Sequence, residues 1–301
     1  MSLVINHNLM AANTARNLNA HYSQLSKSVQ RLSTGLRVNS AADDAAGLAI
    51  RELQRADIAT LQQGARNAND AISMIQTADG ALGVIDEKLT RMKELAEQAA
   101  TGTYDSTQRL MIESEYQAMA SEITRIANAT DFNGIHLLNG ALSSDTHDGS
   151  GINSKGKLKV HFGTGNDSAE DYYYIKIGNS TASALGVGNQ ALDDTGKLRD
   201  GGTVSTQQAA QRALEAITNA IVSKDKIRAH LGAMQNRLEN TITNLNIQAE
   251  NLQAAESRIS DVDVATEMTQ FVRNQILSQS AVAMLSQANS LPQMAMQLIG
   301  G

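Results

Sequence analysis

The sequence predicts a mainly α fold, a long antiparallel helical coiled-coil bundle carrying a small β-hairpin insertion. Three observations carry that prediction. Aromatic residues make up only 3% of the chain, there is a single proline (Pro292), and 42% of the residues are hydrophobic, drawn mostly from Ala, Leu, Ile, Val and Met. That palette suits long helices, because Ala, Leu and Met lose little on entering a helix whereas Pro would interrupt one. Apolar residues recur at spacings of three and four through both halves of the chain, which is the period of one helix face or of a coiled-coil seam. The period lapses only between residues 133 and 205, which hold 13 of the chain's 22 glycines.

Taken in order, the first element follows from the series Ala11, Ala15, Leu18, Tyr22, Leu25, Val29, Leu32, Leu36, which alternates four and three throughout. A second stripe runs Leu82, Ile85, Leu89, Met92, Ala96. After a break at Thr101, Gly102 and Thr103, a third runs Ile112, Tyr116, Met119, Ile123, Ile126. Two helices joined by a tight reversal account for this pair. In the glycine-rich middle, LKVHF at 158–162 and YYYIKI at 172–177 alternate in character and flank GTGNDSAED, so a β-hairpin is expected there. Helix returns from Thr206, with Leu231, Leu238, Leu245, Leu252 and Ile259 spaced by seven and Met234, Ile242 and Ala255 between them. A continuous helix from Thr206 to Ser260 would be about 80 Å long.

Charge narrows the function. Lys+Arg 25 against Asp+Glu 31 leaves a net charge of −6. No basic cluster of the kind that neutralises phosphates stands out, so nucleic acid is not an expected partner. With no cysteine, disulfides, zinc thiolates and thiol nucleophiles are ruled out. The N-terminus MSLVINHNLMAANTARNL has no Lys or Arg before Arg16, and Asn and His interrupt its apolar residues. Neither a cleaved signal peptide nor a membrane-inserted span fits.

The two ends carry the strongest signal. Neither the first fifteen residues nor anything after Arg273 carries a formal charge. The C-terminal stripe Leu277, Ala281, Met284, Ala288, Leu291, Ala295, Leu298 again alternates four and three. A helix in a monomer normally turns charges outward, yet here the outward faces are Ser, Gln and Asn. Each large side chain of such a stripe yields roughly 1.5–3 kcal/mol when fully buried. An isolated helix pair cannot bury them all, so both ends are expected to finish folding against neighbouring copies. Assembly contacts are assigned to Leu18, Leu25, Leu32, Leu277, Met284, Leu285, Leu291 and Leu298.

No constellation of reactive groups stands out. The six histidines (His7, His21, His136, His147, His161, His230) lack metal-ligand spacing. GVGNQA at 186–191 echoes a dinucleotide loop but has no βαβ surroundings, so a glycine connector explains it better. Asp43 and Asp44, and the set Asp261, Asp263 and Glu267, lie beside Arg37 and Arg51 and beside Arg258 and Arg273. Salt bridges or helix N-terminal charges suit them better than acid/base work. No catalytic residue, metal or cofactor is expected. Asn128, Asn166 and Asn179 open N-x-[ST] sequons that carry little weight here.

Several segments resemble bacterial flagellin. They are STGLRVNSAADDAAGLAIRELQ at 33–54, ANDAISMIQTADGALGVIDEKLTRMKELAEQAA at 68–100, ATDFNGIHLLNG at 129–140, and ESRISDVDVATEMTQFVRNQILSQSAVAMLSQANSLPQMAMQLIGG at 256–301. The resemblance covers roughly residues 1–180 and 206–301. It implies a chain that goes out and returns. Residues 1–43 and 259–301 would form the terminal coiled-coil assembly domain, and 44–180 with 206–258 the helical rod domain with its hairpin. Residues 181–205 would be a short variable surface insert, this being a short form with little or no variable outer domain.

The resemblance also implies a function: a structural subunit that polymerises with many copies of itself into the hollow helical filament of the flagellum and serves motility. A hook-filament junction protein of the same family is the alternative. Implied partners are a flagellar export chaperone covering 274–301, the type III export apparatus, and the filament cap and hook-associated proteins. The implied location is the extracellular filament, reached without a cleaved signal peptide. Exposed Ser or Thr, such as Ser143, Ser144, Thr146 and Ser180 to Ser183, could carry O-linked sugars. In flagellins sensed by the vertebrate Toll-like receptor 5, a helix presents an Arg and a Leu four residues on, joined by a Glu of the next helix. Here TRMKELAEQ offers Arg91 and Leu95, and the next helix offers Glu122.

Overall fold

A computed structural model describes residues 8–150, 155–168, 170–189 and 200–299. Helices dominate: α1 (Leu9–Thr34), α2 (Ala45–Ala100), α3 (Ser106–Ala129), a single turn α4 (Ala182–Leu185), α5 (Gln207–Ser260) and α6 (Val264–Ile299). Helix α5 begins and ends within a residue of the expected limits.

Short side chains set the helix ends. Asn8 caps α1 by accepting from the Ala11 N–H at 3.0 Å. Gly35, at φ 71°, ends it in the left-handed conformation that glycine adopts without steric cost. The Asp44 carboxylate accepts from the Gly47 N–H at 2.8 Å at the start of α2. At the α2–α3 reversal Gln108 reaches back to the Asp105 N–H at 3.1 Å, and Arg109 donates to the carbonyls of Ala99 and Thr101.

The chain divides into two compact units, Met1–Ile58 with Glu250–Gly301 and Ala59–Ala249. In the first, α1 packs against α6. The two connections between helices, 35–44 and 261–263, are joined by backbone bonds: Arg37 N–H to the Ser260 carbonyl at 2.7 Å and Val262 N–H to the Gly35 carbonyl at 3.0 Å.

The second unit holds the main core. Leu82, Ile85, Leu89, Met92 and Ala96 of α2, Tyr116 and Ile123 of α3, and Ile217, Leu231 and Leu238 of α5 are buried. The α2 stripe is buried as the spacing predicts. On α3 the buried line also takes Ala120 and Ala127, leaving Met119 and Ile126 at its margin.

Against these helices lie three two-stranded antiparallel sheets. The expected hairpin is β5 (Leu158–His161) with β6 (Tyr172–Ile175), in the register Leu158↔Ile175 and His161↔Tyr172. Two further pairs escape the period-2 reading because each strand has only two residues: β1 (Asp131–Phe132) with β2 (Ile135–His136), and β3 (His147–Asp148) with β4 (Lys155–Gly156). The first of these turns through Asn133 and Gly134 at φ 52° and 80°, the positive values a two-residue hairpin loop demands. The β5–β6 hairpin sits on α2 where Gly64 leaves room for the Phe162 carbonyl, which a Cβ at Gly64 would strike. Asn67 donates to the His161 carbonyl beside it at 2.9 Å.

The segment 181–205 lies partly inside the protein. Ala182, Leu185, Val187 and Val204 are buried, because their apolar side chains close the core over α3. Tyr116 donates to the Gly201 carbonyl at 2.7 Å, Gln117 donates to the Gly202 carbonyl at 2.7 Å, and Gln117 accepts from the Asn189 N–H at 2.8 Å. One face of α3 thus holds both arms of the segment. Burial is also what pushes the Tyr116 hydroxyl pKa up.

Candidate assembly surface

Residues of α1 that turn toward α6 are Ala11, Thr14, Leu18, His21, Leu25, Ser28 and Leu32, all buried or half-buried. On α6 the inward line is Glu267, Phe271, Asn274, Ser278, Ala281, Leu285 and Ala288. Of the expected assembly residues, the structure brings together Leu18, Leu25, Leu32 and Leu285 on these inner faces. Leu277 and Met284 it leaves outside, Met284 with 58% of its surface exposed. The side chains of Leu291 and Leu298 lie outside the described residues.

This arrangement departs from each stripe at two positions. Tyr22 and Val29 are expected in the seam, yet both stand half exposed, and the residues one position earlier, His21 and Ser28, turn inward, while Ala11, Ala15, Leu18, Leu25 and Leu32 keep their place. On α6, Leu277 and Met284 stay outside and the residues one position later, Ser278 and Leu285, turn inward, while Ala281 and Ala288 keep theirs. The physical reason is polar pairing within the seam. Glu267, buried, lies 3.5 Å from Arg31. Asn8 Nδ2 donates to the Ala288 carbonyl at 2.8 Å, and the Ser278 hydroxyl is satisfied by the Asn274 carbonyl. A groove of about 420 Å³ lined by Lys27, Arg31, Glu267 and Arg273 runs along the same seam.

The result is a helix pair with a mixed seam and an apolar exterior row. The inner faces carry Glu267, Asn274, Ser278, Ser28 and His21 among Leu18, Leu25, Leu32, Phe271 and Leu285, while the outer face of α6 exposes Val264, Met268, Val272, Ile276, Leu277, Val282, Met284 and Met294. On α1, Leu9, Met10, Tyr22 and Val29 are exposed likewise. The His21 Nδ1 atom, buried in the seam, has no hydrogen-bond partner.

The acidic residues that could be mistaken for a catalytic set are helix-end groups. Asp263 starts α6, accepting from Ala265 N–H at 3.0 Å and from the Thr266 hydroxyl at 2.7 Å. Those bonds, the Thr266 hydroxyl first, lower its pKa. The Ser40 hydroxyl does the same for Asp43, which also lies 3.7 Å from Lys27. The expected arginine partners bond elsewhere, Arg37 to the Ile259 carbonyl and Arg51 to the Val38 carbonyl and Glu52. Among the described residues no cluster could hold a metal ion. His147 donates through its Nδ1–H to the Lys157 carbonyl at 2.7 Å and packs on Tyr174, and His161 stacks on Tyr172. His7, Gln190 and Ala191 lie outside the described residues. The remainder of the glycine run is a connector, with Gly186 ending α4.

The three receptor-candidate residues are not brought together. Arg91 is exposed and bonds Glu115 of α3 at 2.8 and 3.0 Å and Glu94 at 2.9 Å, which raises its pKa. Leu95 is only 1% exposed and belongs to the core. Glu122 pairs with Arg125, not Arg91, and that bond lowers its pKa. Sequence spacing missed Glu115, although its three-residue offset from Ile112 and proximity to Tyr116 place it at the rim of the same helix face.

Among the described residues no helix is long and apolar enough to cross a membrane. Residues 5–143 match the model of the bacterial flagellin N-terminal helical region, and residues 214–299 match that of the C-terminal helical region. The chain is 42% identical over 306 residues to the flagellin of Bacillus subtilis (strain 168), covering 98% of this chain and 99% of that protein. It is 40% identical over 297 residues to the flagellar filament 33 kDa core protein of Treponema phagedenis, covering 99% and 100%. A solved structure of a putative flagellar hook-associated protein from Vibrio parahaemolyticus shares the fold, with a TM-score of 0.55 at 16% identity over 73% of this chain and 100% of that one. With matched N- and C-terminal regions and full-length relatives at this identity, the chain belongs to the bacterial flagellin family.

Proposed function

We propose that this protein is the structural subunit of an extracellular flagellar filament serving motility, polymerising through the outer faces of its terminal helices. The observation that carries the reading is the row of apolar side chains left exposed on the terminal pair, Val264, Met268, Val272, Ile276, Val282 and Met284 of α6 with Leu9, Met10, Tyr22 and Val29 of α1. In water such a surface is unstable unless covered, and each large side chain covered contributes about 1.5–3 kcal/mol. Copies of one chain meeting through different patches make a contact that does not close, and so a filament. In this reading 1–43 with 259–301 act as the assembly domain and 44–180 with 206–258 as the rod. Before assembly, an export chaperone covers 274–301, and the chain passes the type III export apparatus without a cleaved signal peptide. The filament cap and hook-associated proteins meet the same outer faces.

Deletion of residues 274–301 tests the reading. Electron microscopy should show no filaments from the truncated protein, whereas circular dichroism still reports a helical monomer. Filaments from the truncated chain would refute it. A hook-filament junction role predicts instead that the full protein is scarce in sheared surface filaments.

Recognition by vertebrate Toll-like receptor 5 is supported by Arg91, the one exposed member of the expected trio. Glu94 and Glu115 hold its guanidinium in place, and Leu95 takes no part at the surface. Arg91→Ala should lower potency in a receptor reporter assay without changing the circular dichroism; wild-type potency would sink the idea.

A further inference from the structure

The sequence contains no cysteine and no tryptophan but 11 methionines, so thioethers are the side chains that a peroxide oxidises first. Their placement is uneven. Met74 and Met92 are buried in the core of the second unit at 2% and 0% exposure, and Met234 is buried with them. On the terminal helix pair, Met10, Met268, Met284 and Met294 are 47%, 44%, 58% and 46% exposed. All four lie on the outer faces, among Val272, Ile276 and Val282, and none is in the seam. Met is a common choice for adaptable apolar contacts, and its sulfoxide is polar and chiral.

We infer that Met10, Met268, Met284 and Met294 form a peroxide-sensitive modification site that switches the outer faces of α1 and α6 from association-competent to association-blocked. The step balances: a thioether sulfur takes one oxygen atom from hydrogen peroxide, losing two electrons, and the peroxide leaves as water. No proton is retained by the protein. The sulfoxide oxygen is a strong hydrogen-bond acceptor, and covering it with apolar surface leaves it without a donor. Among the described residues the inner seam has no thioether, so the α1–α6 pair itself survives the oxidation. Methionine sulfoxide reductases reverse the change. The effect on association rests on the filament reading above, whereas the selectivity among methionines rests on burial alone.

The test uses the full chain. Purified monomer is treated with dilute hydrogen peroxide, quenched, mapped by peptide mass spectrometry and added to filament seeds. The four outer methionines, with exposed Met111, should gain oxygen before Met74, Met92 and Met234. Elongation should slow about tenfold or more, as the loss of one covered apolar contact already implies. Circular dichroism should be unchanged, and treatment with the two sulfoxide reductases should restore the rate. The variant M10L/M268L/M284L/M294L should elongate equally before and after peroxide, whereas M111L alone should give no protection. Undiminished elongation of wild-type protein shown to carry the four sulfoxides would overturn this inference alone, as would oxidation of Met74 and Met92 ahead of them. Failure of untreated protein to elongate on seeds would overturn the filament reading and this inference with it.

Discussion

At the scale of single residues, position on a helix face decides role more than residue type does. Leu95 and Arg91 lie four apart on α2, yet the leucine is wholly packed among α3 and α5 side chains while the arginine stands in solvent. Leu95→Ala is therefore expected to destabilise the second unit by about 2–5 kcal/mol, the usual cost of a cavity at a fully buried leucine. Chemical denaturation of the variant checks this, and a loss under half a kcal/mol would place Leu95 at the surface after all. The buried Lys224 makes the complementary point. Its stem lies within the core, and its ammonium reaches Asp86 and, at 2.8 Å, Asp225 at the margin. An apolar period alone cannot locate such a residue, because its charge marks it as a surface residue. Only the paired carboxylates explain its burial.

At the scale of elements, the helices are begun and ended by short polar side chains, and one of these confers a pH dependence. The folded-state pKa of Asp263 is lowered by bonds from the Thr266 hydroxyl, then from the Thr266 and Ala265 N–H groups. A lowered carboxyl pKa means that its contribution is complete above the ordinary value of 3.8 and is lost as the pH falls through the lower, folded value. The first turn of α6 should loosen only in that acid range. An NMR titration of the Asp263 carboxyl carbon and the Thr266 amide would show it, and a midpoint at or above the ordinary value would contradict it. The α2–α3 reversal and the limits of α5 are legible in the sequence because caps and reversals act over three or four residues. The pairs β1–β2 and β3–β4 are not, since two-residue strands have no period to read. The Asn133–Gly134 turn was the one available signal.

For the molecule as a whole, the terminal pair mixes polar residues with leucines in its seam and leaves a row of apolar side chains exposed on α6. An outer substitution should therefore separate assembly from folding. Ile276→Lys places a charge on the outer face of α6, where the side chain is exposed in the monomer. It should leave the thermal unfolding of the monomer within about 0.5 kcal/mol of wild type, as surface changes usually do, and abolish filaments in electron micrographs. Filaments of normal length from this variant would mean that the outer face is not the contact.

The sequence by itself determined that both ends are long helices without charge in residues 1–15 and 274–301, that the middle is a glycine-rich β segment, and that no catalytic set is expected. Those are properties of composition and of spacings within a few residues. Only the tertiary structure decided which side of α1 and α6 faces inward. Two candidate lines lie one residue apart, about 100° around the helix, and both include apolar residues. The polar bonds of Glu267 with Arg31 and of Asn8 with the Ala288 carbonyl join residues more than 200 positions apart in the chain. These long-range bonds set the rotation that leaves Tyr22, Val29, Leu277 and Met284 outside the seam.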